Sequence, residues 1–143
     1  MAIVIDDHLL LEVLAGIESP ALSEELRAGV VFTTGCWYYR LSRAVRTGSG
    51  TGSLSGRLAG LEPGQRDRAL LGLQDLPSMI GLLSYRTLVP VMAALRVRRP
   101  LNMLNADALA VALVVDGAIR VRIPSALLGD GARDLDVDYK VRP

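Results

Sequence analysis

Residues 2–5 form a short apolar run rich in β-branched side chains. The chain turns polar at Asp6, Asp7 and His8 before Leu9, Leu10, Leu11, Val13 and Leu14 return at helical density. This change of period predicts a strand, a turn and a helix. Gly16 is placed to close that helix, and Ser19 with Pro20 can open a second, short one as N-cap and first helical residue. Residues 29–32 read as a second buried strand, followed by a helix over 36–45 capped by Thr33 or Thr34. The glycine- and serine-rich stretch 48–56 costs too much backbone entropy for a regular element, which predicts a mobile loop inside the domain.

The second half continues the alternation. A helix is expected over 65–76, a third strand over 79–83, and a helical stretch over 85–97 interrupted by Pro90. Asn105 can cap a helix running to about Val115, whose residues are almost all apolar, as in a helix buried on most sides. Gly117 is expected to end it. Residues 118–123 alternate apolar side chains with arginine as a strand does, and a short helix over 125–128 and a last strand over 137–141 complete the chain. Strands alternating with helices give an α/β fold, with a mostly parallel central sheet flanked by helices.

The chain has 143 residues, half of them apolar, so a single domain over 1–143 can bury a core without disulfides or metal. The formal net charge is only +1, so a basic nucleic-acid footprint, if present, must be local. Of the 16 basic residues only Lys140 is lysine. Cys36 is the single cysteine, which excludes an intrachain disulfide and fits a reducing compartment, so a cytoplasmic location is expected. The opening apolar run is broken by Asp6, Asp7 and His8 too early for a signal-peptide core, and no segment approaches the ~20 apolar residues of a spanning helix, so no membrane association is expected.

Two acids stand out. Asp6 falls at the carboxyl end of the first strand, where open α/β sheets gather ligands and where a carboxylate can hold a hard cation. The competing explanation for Asp6 and Asp7 is an N-cap before Leu9. Asp107 falls in the expected first turn of the buried helix, where an acid also serves the helix dipole.

The run Ile3-Val4-Ile5-Asp6 with Leu9-Leu10-Leu11, and the run Asn105-Ala106-Asp107-Ala108-Leu109-Ala110-Val111-Ala112 with the strand over 118–123, together resemble the PIN-domain family, which includes VapC-type toxin ribonucleases. The resemblance spans nearly the whole chain. It implies a PIN-like fold, with Asp6 and Asp107 side by side at the carboxyl edge as catalytic residues and as ligands of Mg²⁺ or Mn²⁺. It also implies RNA or an antitoxin-like protein as partner; a homodimer is one assembly left open by the sequence.

This sequence departs from the family in ways that bear on catalysis. Members that cut RNA usually carry a glutamate on the helix after the second strand, yet no Asp or Glu occurs between Val30 and Gly60. Where the family often has Thr-x-Asp after the later strand, this chain has Arg122-Ile123-Pro124-Ser125, and Asp7 and His8 follow Asp6 where small residues are usual. Two acids would hold an ion weakly, and the expectation is a degenerate nuclease site in a binding or toxin–antitoxin-type module. An active ribonuclease and an unrelated α/β protein are the alternatives. Asp116, Asp130, Asp134, Asp136 and Asp138 are further acids, the last four expected on an acidic surface.

Other residues have simpler readings. His8 and Glu12 share a helix face at a spacing that suits metal ligands, but a solvated face is the favoured reading. Trp37, Tyr38 and Tyr39 could stack bases, with core or interface favoured. Arg40, Arg43 and Arg46 at three-residue spacing, with Arg57, could bind RNA phosphates or an acidic partner, against a plain solvated face. The glycine stretch lacks the Gly-Lys-Ser/Thr ending of a P-loop.

Overall fold

The computed structural model describes residues 1–17, 19–47 and 52–143. Strands β1 (Ala2–Ile5), β2 (Val30–Thr33), β3 (Ile80–Leu82), β4 (Ala118–Val121) and β5 (Tyr139–Val141) form one sheet in the order β3-β2-β1-β4-β5, every neighbouring pair parallel. Parallel neighbours need crossover connections. Among the described residues the helices are α1 (Asp7–Ala15), α2 (Pro20–Ala28), α3 (Gly35–Thr47), α4 (Ser53–Ala59), α5 (Pro63–Gln74), α6 (Tyr85–Arg98), α7 (Met103–Val115) and α8 (Ala126–Asp134). None of them is long and apolar enough to cross a membrane.

The central strand explains the layering. Successive side chains of a strand point to opposite faces, and a central parallel strand is covered on both. Ile3 and Ile5 therefore join Leu9, Leu10 and Leu14 of α1 and Ala69 and Leu73 of α5 in one core, while Val4 joins Ile119, Val121 and the buried residues of α7 in the other. The strand order turns back at β1, whose neighbours β2 and β4 lead to opposite halves of the sheet. The crevice outside the carboxyl ends at such a switch point is where ligands settle in this class of sheet. Asp6 is the residue that follows β1 into it.

Several local expectations are corrected. The glycine-rich stretch is not a loop throughout: residues 48–51 lie outside the described residues, but Ser53 begins α4. Leu54 and Leu58, four apart, bury one face of α4 in the α1 core, which offsets the cost of Gly56 within it. α6 runs unbroken through Pro90. α7 begins before Asn105: Asn102 is the N-cap, its side chain accepting from Asn105 N at 2.8 Å. Asp107 therefore lies beyond the first turn rather than in it.

Left-handed residues end α1 and α7. Gly16 takes φ 74° after α1, as expected of a glycine that has no Cβ to clash. After α7 it is Asp116, at φ 49°, that caps the helix, with Gly117 donating to Ala112 O one residue later. β4 stops at Val121, two residues short of the expected strand, and α8 is a nine-residue helix, longer than the short helix expected over 125–128. Asp130, Asp134, Asp136 and Asp138 are all exposed, so the C-terminal acidic surface is as expected.

Candidate functional site

Asp6 is buried at the carboxyl end of β1 and caps α1, its Oδ1 accepting from Leu9 N at 2.9 Å. Its Oδ2 accepts from Arg122 N at 2.9 Å and Ile123 N at 3.4 Å, just past the end of β4. The N-cap reading of Asp6 thus holds, but the carboxylate does more than cap: it ties the start of α1 to the chain leaving β4. Burial pushes its pKa up to about 6, against the backbone N–H groups that favour the anion, and the charge of Asp7 adds to the rise.

The residues that follow are buried too, which corrects the solvated-face reading of His8 and Glu12. Helix α1 carries only Asp7, His8 and Glu12 as polar positions among nine residues, so packing on all sides leaves none of them in water. That composition was the available signal. A buried charge needs a partner, and arginines from distant parts of the chain supply it. Arg40 Nε of α3 donates to Asp7 Oδ2, and this hydrogen bond, outweighing partial burial, raises the Arg40 pKa. Arg57 of α4 and Arg122 after β4 both donate to Glu12 Oε1. His8 Nε2 lies 3.3 Å from Ser53 Oγ, and burial lowers the His8 pKa.

Asp107, fully buried on α7, faces a different set of groups. Its Oδ2 accepts from Cys36 N at 3.0 Å, at the head of α3, and from Tyr85 OH at 2.9 Å, at the head of α6. Tyr85 OH also lies 3.4 Å from Cys36 Sγ. Burial raises the pKa of both Cys36 and Tyr85. Asp107 thus ties together the heads of α3 and α6, while its Oδ1 has no hydrogen-bond partner among the described residues. Asp6 and Asp107 bond to separate groups. Among the described residues no three His, Cys, Asp or Glu side chains converge as a metal-holding group.

The candidate binding arginines divide. Arg40 and Arg57 are engaged with Asp7 and Glu12, whereas Arg43 and Arg46 are exposed on α3. Trp37 belongs to the core, Tyr38 donates its hydroxyl to Leu73 O at 2.7 Å, and Tyr39 is 68% exposed, outside the core. Arg122, Tyr85 and Cys36 were not singled out as site residues by the sequence; their roles depend on contacts across 22 to 116 positions of chain.

No protein-family model matches the sequence, and no curated protein matches it at a significant level. Among solved structures, the chain is similar to VapBC-1 from nontypeable Haemophilus influenzae, with a TM-score of 0.57 and 10% sequence identity. The match covers 99% of this chain and 98% of the matched one. The all-parallel five-stranded sheet flanked by helices is thus a PIN-like α/β fold.

Proposed function

We propose that this chain is a PIN-like module of toxin–antitoxin type that acts by binding, for which an antitoxin-like protein is the fitting partner, and that its acidic site is degenerate as a nuclease. The observation that carries this reading is that the acids beside Asp6 on α1 pair with the chain's own arginines, while Asp6 and Asp107 are hydrogen-bonded within the chain. Asp7 is held by Arg40, and Glu12 by Arg57 and Arg122. A hard divalent cation is held by oxygen ligands, usually one or two carboxylates with water and substrate phosphate. Both oxygens of Asp6 already accept backbone N–H groups, and Asp107 Oδ2 is taken by Cys36 and Tyr85, which leaves Asp107 Oδ1 as the unbonded oxygen of this pair. With no third acid converging on them among the described residues, and part of their acceptor capacity already used, this donor set fits Mg²⁺ or Mn²⁺ poorly.

Position supports the same conclusion. Helix α3 follows the second strand, where ribonucleases of the resembling family usually carry a glutamate, and here it carries Arg40, Arg43 and Arg46 instead. After β4, where that family often has Thr-x-Asp, Arg122 places a guanidinium on Glu12. Positive charge stands where a two-metal site would need negative charge.

The test is cleavage of a mixed RNA pool with Mg²⁺ or Mn²⁺ by the wild-type chain and by Asp6→Asn. No metal-dependent cleavage above a protein-free control is expected. Robust cleavage lost in Asp6→Asn would overturn the reading in favour of an active ribonuclease.

A further inference from the structure

A cavity of about 390 Å³ opens between α1, α3 and α4. His8, Arg40, Arg43 and Ser53 supply its polar side, and Ala44, Leu54 and Ile123 its apolar side; no carboxylate lines it among the described residues. We propose that this cavity is a binding site for a small phosphomonoester carrying an apolar or ring-bearing group, of which a mononucleotide is the type. The proposal does not depend on whether the neighbouring acids hold a metal.

Four observations lead there. Arg40 and Arg43, three apart on α3, share a helix face and both line the one opening. Arg40 uses Nε on Asp7, which leaves its terminal N–H groups, and Arg43 has no carboxylate partner among the described residues. Guanidinium forks are matched to phosphate oxygens. Second, His8 lines the cavity at 1% exposure, with Nδ1 lacking any hydrogen-bond partner among the described residues. A buried polar atom left unbonded costs free energy, and such atoms cluster where a ligand or water completes the bonding.

Third, the volume exceeds what an inorganic phosphate fills and falls within the range of small-molecule pockets, roughly 300–1,000 Å³. Leu54 and Ile123 give the remaining space an apolar wall on which a ring can lie. Fourth, charge selects the ester. A phosphomonoester brings close to two negative charges near neutral pH, against one for each phosphodiester of a nucleic-acid strand, to Arg43 and to the terminal N–H groups that Arg40 keeps beside its bond to Asp7.

The experiment is calorimetric titration of the full chain with 5′-AMP, inorganic phosphate, adenosine and an RNA pentamer lacking terminal phosphates. Saturable binding of 5′-AMP is expected, about tenfold or more tighter than inorganic phosphate, with none for adenosine. Arg43→Gln, an exposed position, should weaken 5′-AMP about tenfold, while Arg96→Gln on α6, the same change of charge elsewhere, should leave it unaltered. Circular dichroism of both variants checks that the fold is kept. Absence of saturable 5′-AMP binding, binding indifferent to Arg43→Gln, or a pentamer that binds tighter than 5′-AMP would each overturn the proposal.

Discussion

Glu12→Gln should cost about 3 kcal/mol or more of folding stability, because removing one partner of a buried ion group leaves the others uncompensated. The Glu12 side chain is 2% exposed, and its Oε1 accepts from both Arg57 and Arg122. A glutamine there keeps the shape and removes the charge, so two largely buried guanidinium groups, 30% and 24% exposed, lose the carboxylate that compensates them. For a domain whose whole stability is of order 10 kcal/mol, the loss is large and should lower the thermal midpoint by about 10 °C. Chemical denaturation checks it, with Arg122→Gln and the double variant closing a cycle. The double variant should cost less than the sum of the two singles, since it removes both halves of one pair. A Glu12→Gln effect within about 0.5 kcal/mol would show that the three groups are not coupled in solution.

Asp107→Ala should also destabilise, by about 2–4 kcal/mol, through loss of two part-buried hydrogen bonds to a fully buried carboxylate. Those bonds join Cys36 N at the start of α3 and Tyr85 OH at the start of α6 to α7. The sign matters more than the size. A carboxylate held among other acids to receive a cation is destabilising without the cation, so its removal stabilises the metal-free chain. A carboxylate that ties helix heads together stabilises, and its removal destabilises. Tyr85→Phe, which deletes one of the two bonds, should cost about 1–2 kcal/mol and add less than fully to Asp107→Ala. Denaturation in a metal-chelating buffer separates the two cases, and a gain in stability for Asp107→Ala would place the residue in a cation site.

The elements were legible where local pattern and global packing agree. The β-branched run of β1 is apolar on both faces because it is the central parallel strand, and that needs no knowledge of the rest of the chain. Gly16 and Asn102 show the limit at the helix ends. Glycine signalled the left-handed stop of α1 correctly, but two asparagines precede Asp107 and only the geometry selects Asn102 as the cap. Residues 53–56 misled for a physical reason: glycine and serine predict irregular backbone, yet Leu54 and Leu58 bury enough surface to hold Gly56 in α4.

The placement of the two candidate acids was legible only in part. Asp6 follows β1 as local order predicts, whereas Asp107 lies beyond the first turn of α7, because the helix begins before Asn105. What each carboxylate bonds to could not be read, since Arg122 meets Glu12 across 110 positions and Tyr85 meets Asp107 across 22. The burial of His8 and Glu12 was there to be read from a helix with hardly any polar positions. The i, i+4 spacing suggested a solvated face because spacing describes one helix and not what packs around it.

The central claim is that Asp6 and Asp107 at the carboxyl edge are engaged by hydrogen bonds within the chain and do not hold a divalent cation. Electron paramagnetic resonance of Mn²⁺ titrated with the wild-type chain measures this directly, since free and bound ions give distinct signals. The account predicts that the ion stays free, with no saturable site tighter than about 1 mM. A stoichiometric site in the micromolar range, lost in Asp6→Asn or Asp107→Asn, would contradict it.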